Sequence, residues 1–341
     1  MNNSVKYCLK KTNKIRWFYF VGILFFILSA LTSVMLGSTV LTFSEIVNAV
    51  TSGFRSSEDA LIFAYVRLPR TISALVCGAA LAVAGAIIQG VLANRLASPS
   101  IIGINSGAGL AVTVCTALGI YGGWQLSFFS FIGAFATVML VSLGCRKWHA
   151  SRGTVILIGV ALNSFLGAIS DTIITFAPNV GVISNDFKIG EFSSVTYQRL
   201  LPAALIIIIT IAVSLTLTNE LDVLTLGENT AKGLGMNTSL MQTIFLLITA
   251  LLAGCAVSLA GLLSFVGLIV PHAIRRLTSA RSLHLIALCA IFGASFVCIC
   301  DTLARTVFTP YEIPVGIIMA FLGVPFFIFI LIKGKGASDN D

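Results

Sequence analysis

Long apolar blocks alternate with short polar segments along almost the whole chain. Most of these blocks are near the roughly 20 residues that a helix needs to cross a bilayer, and the eighth is shorter and interrupted by Pro271. The pattern predicts an all-α polytopic membrane protein with about ten transmembrane helices. The predicted spans are Trp17–Leu36, Ile72–Leu92, Ile101–Leu118, Leu126–Gly144, Thr154–Phe176, Leu200–Thr218, Leu240–Ala260, Leu262–Ile274, Leu283–Cys300 and Ile313–Ile332.

A polar, glycine-rich segment, Leu226–Met236, separates the sixth and seventh blocks. It cannot lie in hydrocarbon, because its glycines and side-chain amides leave backbone groups that need water or a protein partner. Within it, Asn229–Gly233 is predicted to form a turn or two of helix, stopped by Gly233 and Gly235. Connectors in polytopic proteins are usually short, so about twenty polar residues with this much structure favour a docking surface over a plain loop.

Composition excludes a soluble protein. Of 341 residues, 57% are hydrophobic and 10% are charged, whereas a soluble domain carries about a quarter charged residues. The eight cysteines include no CxxC pair, and HExxH motifs and clustered histidines are absent, so we expect no metal site and no cofactor. The chain also lacks a G-x-x-x-x-G-K-[ST] phosphate loop and a nucleophile–base constellation. We therefore expect a non-enzymatic chain, whose ATP hydrolysis, if transport needs it, occurs on another subunit.

The net charge of +8 orients the chain in a membrane and does not predict a nucleic-acid partner. If the N- and C-termini are both cytoplasmic, 15 of the 21 Lys and Arg residues fall in inside segments. This obeys the positive-inside rule, and a shift by one helix would invert the bias. The predicted parts are a basic N-terminus (1–16), a transmembrane domain (17–332) with a coupling loop at about 219–239, and a cytoplasmic tail (333–341). The six outside cations are Arg55, Arg67, Arg70, Lys188, Arg199 and Arg305.

Two segments resemble each other weakly. Residues 80–88 align with residues 256–264 when Gly85 and Gly261 are superposed with one residue of slack. The predicted topology runs them in opposite directions, which is typical of an inverted repeat with a pathway between its halves. The same small residues also serve plain helix packing, so both interpretations stay open.

Several motifs occur in the same order as in a known family. They are Arg67-Leu-Pro-Arg70, Gly78–Gly90, Gly261–His272, Cys300–Arg305, Glu312–Gly316 and Gly323–Phe327. With these motifs the chain resembles the FecCD family from about residue 17 to residue 332. The family comprises permease subunits of ABC importers for iron–siderophore complexes, haem and cobalamin.

The resemblance implies a set of partners. Cytoplasmic ABC ATPase subunits would dock inside, and an extracytoplasmic substrate-binding lipoprotein or periplasmic protein would dock outside. A second permease copy or a paralogue would complete a dimer in the bacterial cell (inner) membrane. The implied function is alternating-access import of an iron chelate, foremost an iron–siderophore complex, with haem or cobalamin as the alternative.

The resemblance also assigns roles to residues. The family's ATPase-coupling helices match the polar segment at Leu226, Gly227, Glu228, Ala231, Leu234 and Gly235. Arginines at the places of Arg67, Arg70 and Arg305 meet acidic residues of the binding protein in the family. The alternative for these three is snorkelling to lipid headgroups.

Two acids lie nearest the hydrocarbon. Asp301 is one helical turn from Arg305, and this spacing predicts an orienting ion pair. Asp171 has no partner visible in the sequence, but it shares a helix face with Asn163, Gly167 and Ser170. This stripe faces either a transport pathway or another helix, and the resemblance favours the pathway because the family's fifth span lines it. His272, next to Pro271, is expected to bond a carbonyl that the proline frees.

The competing class is an ion-coupled secondary transporter. Such proteins usually carry several intramembrane carboxylates. Here the predicted membrane interior offers at most Asp171 for that purpose, so the ABC importer is the favoured prediction.

Overall fold

The computed structural model describes residues 3–37, 41–51, 54, 57–147, 152–278 and 281–335, and within these ranges it contains helices and no strand. Arg55, one of the predicted outside cations, and residues 336–341 of the predicted tail lie outside the described residues. The helices are α1 (Asn3–Met35), α2 (Phe43–Thr51), α3 (Glu58–Ile62), α4 (Leu68–Val91), α5 (Ile104–Ala117), α6 (Gly123–Lys147), α7 (Arg152–Phe176), α8 (Val180–Ile189), α9 (Tyr197–Thr216), α10 (Thr218–Thr225), α11 (Glu228–Gly233), α12 (Thr238–Ala260), α13 (Val266–Thr278), α14 (Ser282–Thr306) and α15 (Val315–Lys335).

Seven of the described helical segments are long and apolar enough to cross a membrane. They are Lys14–Met35, Glu58–Val91, Gly123–Gly144, Gly153–Phe176, Tyr197–Thr216, Thr238–Ala260 and Ser282–Thr306. The other three predicted spans correspond to shorter helices, α5, α13 and α15. The all-helical, multi-pass architecture is confirmed, whereas the count of ten crossings and the location of the termini stay predictions.

The helices do not begin where the predicted membrane spans begin. α1 begins at Asn3, so the basic N-terminal segment continues directly into the first span. The second span is the end of a longer helical segment that starts at Glu58 and passes through a π-helical turn at Phe63–Arg67. A 3₁₀ turn, Pro99–Ile102, precedes α5, and the chain from 261 to 265 is not helical. Apolar composition located the helices, but it does not distinguish a helical turn from a buried extended turn.

Helix α4 lies at the centre of the bundle, in contact with α12, α13 and α14. Glycines allow backbones to touch there: a Cβ at Gly78 would overlap the backbone of Gly293, and one at Gly85 would overlap the backbone of Gly267. Without a hydrophobic driving force between helices in lipid, such close packing is a principal source of association. The three helices α4, α13 and α14 therefore form one tightly packed body.

The bundle has two distinct ends. Helix α4 starts beside the end of α14, where Arg70 contacts Asp301, and it finishes beside α10, where Gly90 faces Leu221. We call these the arginine end and the α10–α11 end. Helix α12 begins shortly after α11, at the α10–α11 end. Near its other terminus the Ala256 carbonyl oxygen lies 3.6 Å from the Cys77 thiol in the first half of α4, so α12 also runs antiparallel to α4.

The two segments of the weak repeat therefore run in opposite directions, as predicted. Their glycines differ locally, however. Gly85 is in the middle of α4, whereas Gly261, at φ +70°, ends α12. The repeat itself stays a prediction.

Pro271 lies inside α13 and does not end it. A proline has no N–H, so the carbonyl of Gly267, four residues earlier, loses its helical donor. The side chain of Gln89 on α4 supplies the replacement, with Nε2 donating to this carbonyl oxygen at 3.2 Å. The sequence favours His272 as the donor to the freed carbonyl. That expectation is wrong because the Gly85–Gly267 contact brings α4 close enough for Gln89 to do so.

Candidate functional site

A buried ion cluster occupies the arginine end. The Arg70 Nε donates to both oxygens of Asp301, at 3.1 and 3.2 Å, and its Nη1 lies 2.7 Å from Glu312 Oε2. Arg305 Nε lies 3.3 Å from Asp301 Oδ2, which confirms the predicted pair one turn apart. Asp301, fully buried (0%), thus bridges two guanidinium groups.

Two of the arginines also bind α1. Arg305 Nη2 donates to the Ser33 carbonyl at 2.5 Å and to the Ser33 hydroxyl at 2.7 Å. Arg67 Nη1 donates to the carbonyl of Leu36. Gly37 leaves room for this contact, because a Cβ there would overlap the Arg67 guanidinium and force it to move. The cluster therefore joins α1, α4, α14 and the segment before α15.

The structure brings together the three arginines that sequence motifs had selected separately. All three are buried, with exposed fractions of 3% for Arg67, 8% for Arg70 and 2% for Arg305. Sequence reasoning did not identify Glu312 as a partner, although it lies in one of the quoted motifs. With three guanidinium groups against two carboxylates, the cluster carries a net positive charge. Its docking role stays a prediction.

The predicted coupling segment lies at the opposite end. Helix α11 spans Glu228–Gly233 and so contains the turn predicted at 229–233. Glu228 and Lys232 form an exposed pair at 2.8 Å. Gly227 (φ +107°) and Gly235 (φ +82°) bound the helix in conformations that other residues rarely adopt.

One residue of this segment anchors it and two project from it. Ala231 is fully buried (0%), whereas Leu226 and Leu234 are 61% and 65% exposed. The two exposed leucines therefore flank the small polar helix, one on either side of it in the sequence.

A cavity of about 430 Å³ opens between α5, α7 and α8. Six of its eleven lining residues have polar side chains, although most of the lining surface is apolar, and we call it the polar cavity. Asn163 and Gly167 of the predicted stripe line it. Asn163 is fixed on both sides: its Nδ2 donates to the Ser100 carbonyl at 3.0 Å, and its Oδ1 accepts from the Ser106 hydroxyl at 2.7 Å. The polar lining residues are Ser100, Asn105, Ser106, Asn163, Ser170 and Lys188.

Asp171, the third residue of the stripe, does not line this cavity. Its side chain is 73% exposed, and its Oδ1 lies 3.6 Å from Lys188 Nζ on α8. Lys188 does line the cavity, so Asp171 contacts a residue of the cavity wall without lining the cavity itself. Sequence reasoning found no partner because the two residues belong to different helices. The pathway role of Asn163, Gly167 and Asp171 stays a prediction.

Two further cavities adjoin the first. One of about 590 Å³ reaches α15 and is lined mainly by apolar residues, and it shares Lys188 and Leu262 with the polar cavity. A smaller one, about 220 Å³, lies beside α4 and shares Ser100 and Asn105. Non-helical backbone at membrane depth is tolerated where it lines a cavity, and the break at 261–265 lies on the wall of all three.

Sequence comparison supplies the class of protein. The FecCD transport family matches this chain over residues 24–333. The chain belongs to the FecCD transport family. Its relatives include the Fe(3+)-citrate import system permease protein YfmD of Bacillus subtilis (strain 168), which is 35% identical over 82% of this chain and 84% of the relative.

The names of other relatives refer to different substrates. The hemin transport system permease protein HmuU of Yersinia pestis is 33% identical, over 91% of this chain and 93% of the relative. The vitamin B12 import system permease protein BtuC of Yersinia pseudotuberculosis is also 33% identical, over 82% of this chain and 84% of the relative. These matches identify a transporter component and do not distinguish among the substrates.

A solved structure has the same fold. It is an inward-facing conformation of an ABC transporter assigned to the metal-chelate type, and it aligns with a TM-score of 0.83 at 27% identity. The alignment covers 92% of this chain and 98% of the solved one. The structural match therefore extends over nearly the whole chain rather than over one motif.

Proposed function

We propose that this chain is the transmembrane permease subunit of a binding-protein-dependent ABC importer for an iron chelate, foremost an iron–siderophore complex. The observation that carries the proposal is the family match over residues 24–333. The 35% identity to a permease named for Fe(3+)-citrate import supports iron as the cargo. Haem and vitamin B12 are the second candidates, favoured by relatives at 33% identity.

In the proposed arrangement, ten helices cross the cell membrane of a bacterium, the inner membrane where there are two, and both termini are cytoplasmic. The α10–α11 end faces the cytoplasm and binds ATPase subunits through Leu226, Gly227, Glu228, Ala231, Leu234 and Gly235. The exposure of Leu226 and Leu234 supports this placement. A second permease copy or a paralogue completes the transporter.

The arginine end faces outwards and receives the binding protein. Because Arg67, Arg70 and Arg305 are buried, we propose that they attract acidic residues of the binding protein through the net charge of the cluster. Charge complementarity of this kind mainly sets orientation and association rate.

The adjoining cavities form one wall of the transport pathway. Asn163 and Gly167 would face the substrate directly, and Asp171 would contribute through Lys188. Neutral hydrogen-bonding groups with a single cation suit an oxygen-rich chelate that must pass without being held tightly. Alternating access would then follow from ATP-driven closure of the ATPases, which moves the α10–α11 end.

Reconstitution tests the proposal. The permease with its ATPase subunits is placed in proteoliposomes, and binding protein loaded with a radioactive ferric siderophore, haem or cobalamin is added with ATP. We expect ATP-dependent uptake of the ferric siderophore. Uptake of haem or cobalamin alone would identify that compound as the substrate in place of the ferric siderophore. ATP-independent uptake on a proton or sodium gradient would indicate a secondary transporter.

A further inference from the structure

The start of α14 is capped by a residue from a distant part of the chain. Asp222 Oδ1, on α10, accepts from the Ser282 backbone N–H at 3.0 Å and from the Ser282 hydroxyl at 2.5 Å. Arg281, the residue in the N-cap position, makes no side-chain capping bond. A helix N-terminus leaves N–H groups unsatisfied and carries positive partial charge, so a carboxylate is a strong acceptor there.

Helix α10 is also held firmly by packing. Leu221 and Leu224 are fully buried (0%) and flank Asp222 in the sequence. The helix packs against both α4 and α14. The Asp222 contact is therefore made by a helix that packs against the central bundle. A movement of α11 would also displace α10, because only Leu226 and Gly227 separate the two helices.

Helix α14 connects the two ends of the molecule. Its 25 residues extend about 37 Å at 1.5 Å per residue. One terminus is bound by Asp222, and Asp301 and Arg305 near the other belong to the buried ion cluster. Between them, the backbone contact of Gly293 with Gly78 fixes α14 to α4.

We infer that Asp222 is a positioning residue for energy coupling, which passes displacement of the ATPase-docking segment to α14 and from there to the arginine end. The inference rests on the proposed function, because it assumes that α11 binds an ATPase. Asp222 lies outside the proposed docking surface, on α10, at the place where this helix contacts the central helices.

The test measures substrate transported per ATP hydrolysed by the reconstituted importer with its binding protein. We expect Asp222→Ala to lower this ratio by about five-fold or more, the low end of typical coupling between linked sites. The ATPase subunits should still co-purify with the variant. Asp222→Asn keeps an oxygen acceptor at the same place and should restore most of the ratio, whereas Ser282→Ala, which loses one of the two bonds, should be intermediate.

Thr216→Ala is the matched control. Thr216 is an exposed residue just before α10, and its hydroxyl bonds only the Val213 carbonyl of its own helix. A wild-type ratio in Asp222→Ala, even with a lower melting temperature, would overturn the inference and leave Asp222 a structural cap. If Asp222→Ala does not insert, an unchanged ratio in Ser282→Ala would overturn it equally. A wild-type importer that transports no chelate, or binds no ATPase, would instead refute the proposed function.

Discussion

Asp301 is the residue on which the arginine end depends. It is fully buried and meets two guanidinium groups, which are themselves almost completely removed from water. A buried charge pair is weak evidence for net stability, but removal of one partner leaves an uncompensated charge. Glu312, in contrast, has a side chain that is 38% exposed, so water can replace much of its interaction with Arg70.

This difference gives a prediction. Asp301→Ala should destabilise the folded permease by about 3–5 kcal/mol, because Arg70 and Arg305 would lose their shared buried carboxylate. Glu312→Gln should cost about 1 kcal/mol or less, as expected for a partly exposed pair. Thermal unfolding of the purified permease in detergent measures both. Asp171→Ala, which breaks the exposed pair with Lys188, is the control, and an equal effect in all three variants would contradict this account.

Cysteine substitution tests the polar cavity. In a cysteine-free background, Asn163→Cys and Gly167→Cys should react with a water-soluble thiol reagent, because both positions line the cavity. Nothing lies within 4 Å of a Cβ at Gly167, so this substitution should be tolerated. Asp171→Cys should also react, since its side chain is exposed. Phe165 is 62% exposed on another face of the apolar segment Gly153–Phe176. We expect this face to contact lipid, so Phe165→Cys should react much less. Protection at 163, 167 and 171 would remove the stripe from the pathway.

Sequence reasoning reached only part of these sites. The Asp301–Arg305 pair follows from helical spacing alone, whereas the contact of Arg70 with Asp301 joins residues 231 positions apart. Such contacts depend on which helices become neighbours, and the apolar pattern does not specify this. For the same reason Lys188 could not be assigned to Asp171.

At the scale of single helices, α4 and α13 depend on each other. The carbonyl freed by Pro271 is satisfied by Gln89, so the proline is tolerated only while α4 stays in place. We expect Gln89→Leu to cost about 1–3 kcal/mol, the usual penalty for a buried unsatisfied acceptor. In a Pro271→Ala background the backbone N–H returns and the same substitution should cost much less. Additive effects in this double-mutant cycle, measured by thermal unfolding, would rule out the compensation.

The α11 region gives a prediction about docking. Leu226→Glu and Leu234→Glu should reduce co-purification of the ATPase subunits and abolish transport, because they place charge on the exposed apolar surface. Neither leucine is needed for the permease core, so the amount inserted in the membrane should not change. Gly235→Ala tests the backbone of this segment separately from its surface. A Cβ at Gly235 meets open space, but φ is +82°, so this substitution strains the backbone without covering a neighbour. Undiminished ATPase binding in both leucine variants would exclude this surface as the docking site.

At this scale the sequence predicted most of the fold. Apolar length located the long helices, and the polar composition of Leu226–Met236 located α11. The break at 261–265 was missed because Leu262, Leu263 and Phe265 are as apolar as any helix in the chain. What distinguishes it is the positive φ at Gly261 and Phe265, which single-residue hydrophobicity does not report.

The whole molecule separates the arginine end from the α10–α11 end, and we propose that the first faces outwards and the second binds the ATPase subunits. If the cluster charge steers the binding protein, Glu312→Gln should raise the association rate by removing one carboxylate, and Arg67→Gln should lower it. Both effects should be larger at low salt, since exposed charges are screened beyond about 10 Å at 0.1 M. Surface-bound permease and soluble binding protein provide the measurement. Association rates that depend on neither the charge substitutions nor the salt concentration would leave only a structural role for the arginines.

The shortness of α13 has a consequence for how the protein is made. Its 13 residues cover about 20 Å, whereas the hydrocarbon core is about 30 Å thick. By itself α13 is therefore too short to span the hydrocarbon core, so we expect it to need a packing partner when it inserts. Helix α4 has already left the ribosome by then, and its Gly85 and Gln89 offer the place where Gly267 packs. If α13 is a membrane-crossing helix, we expect its insertion to depend on α4, whose Gln89 lies 178 positions before Gly267 in the chain.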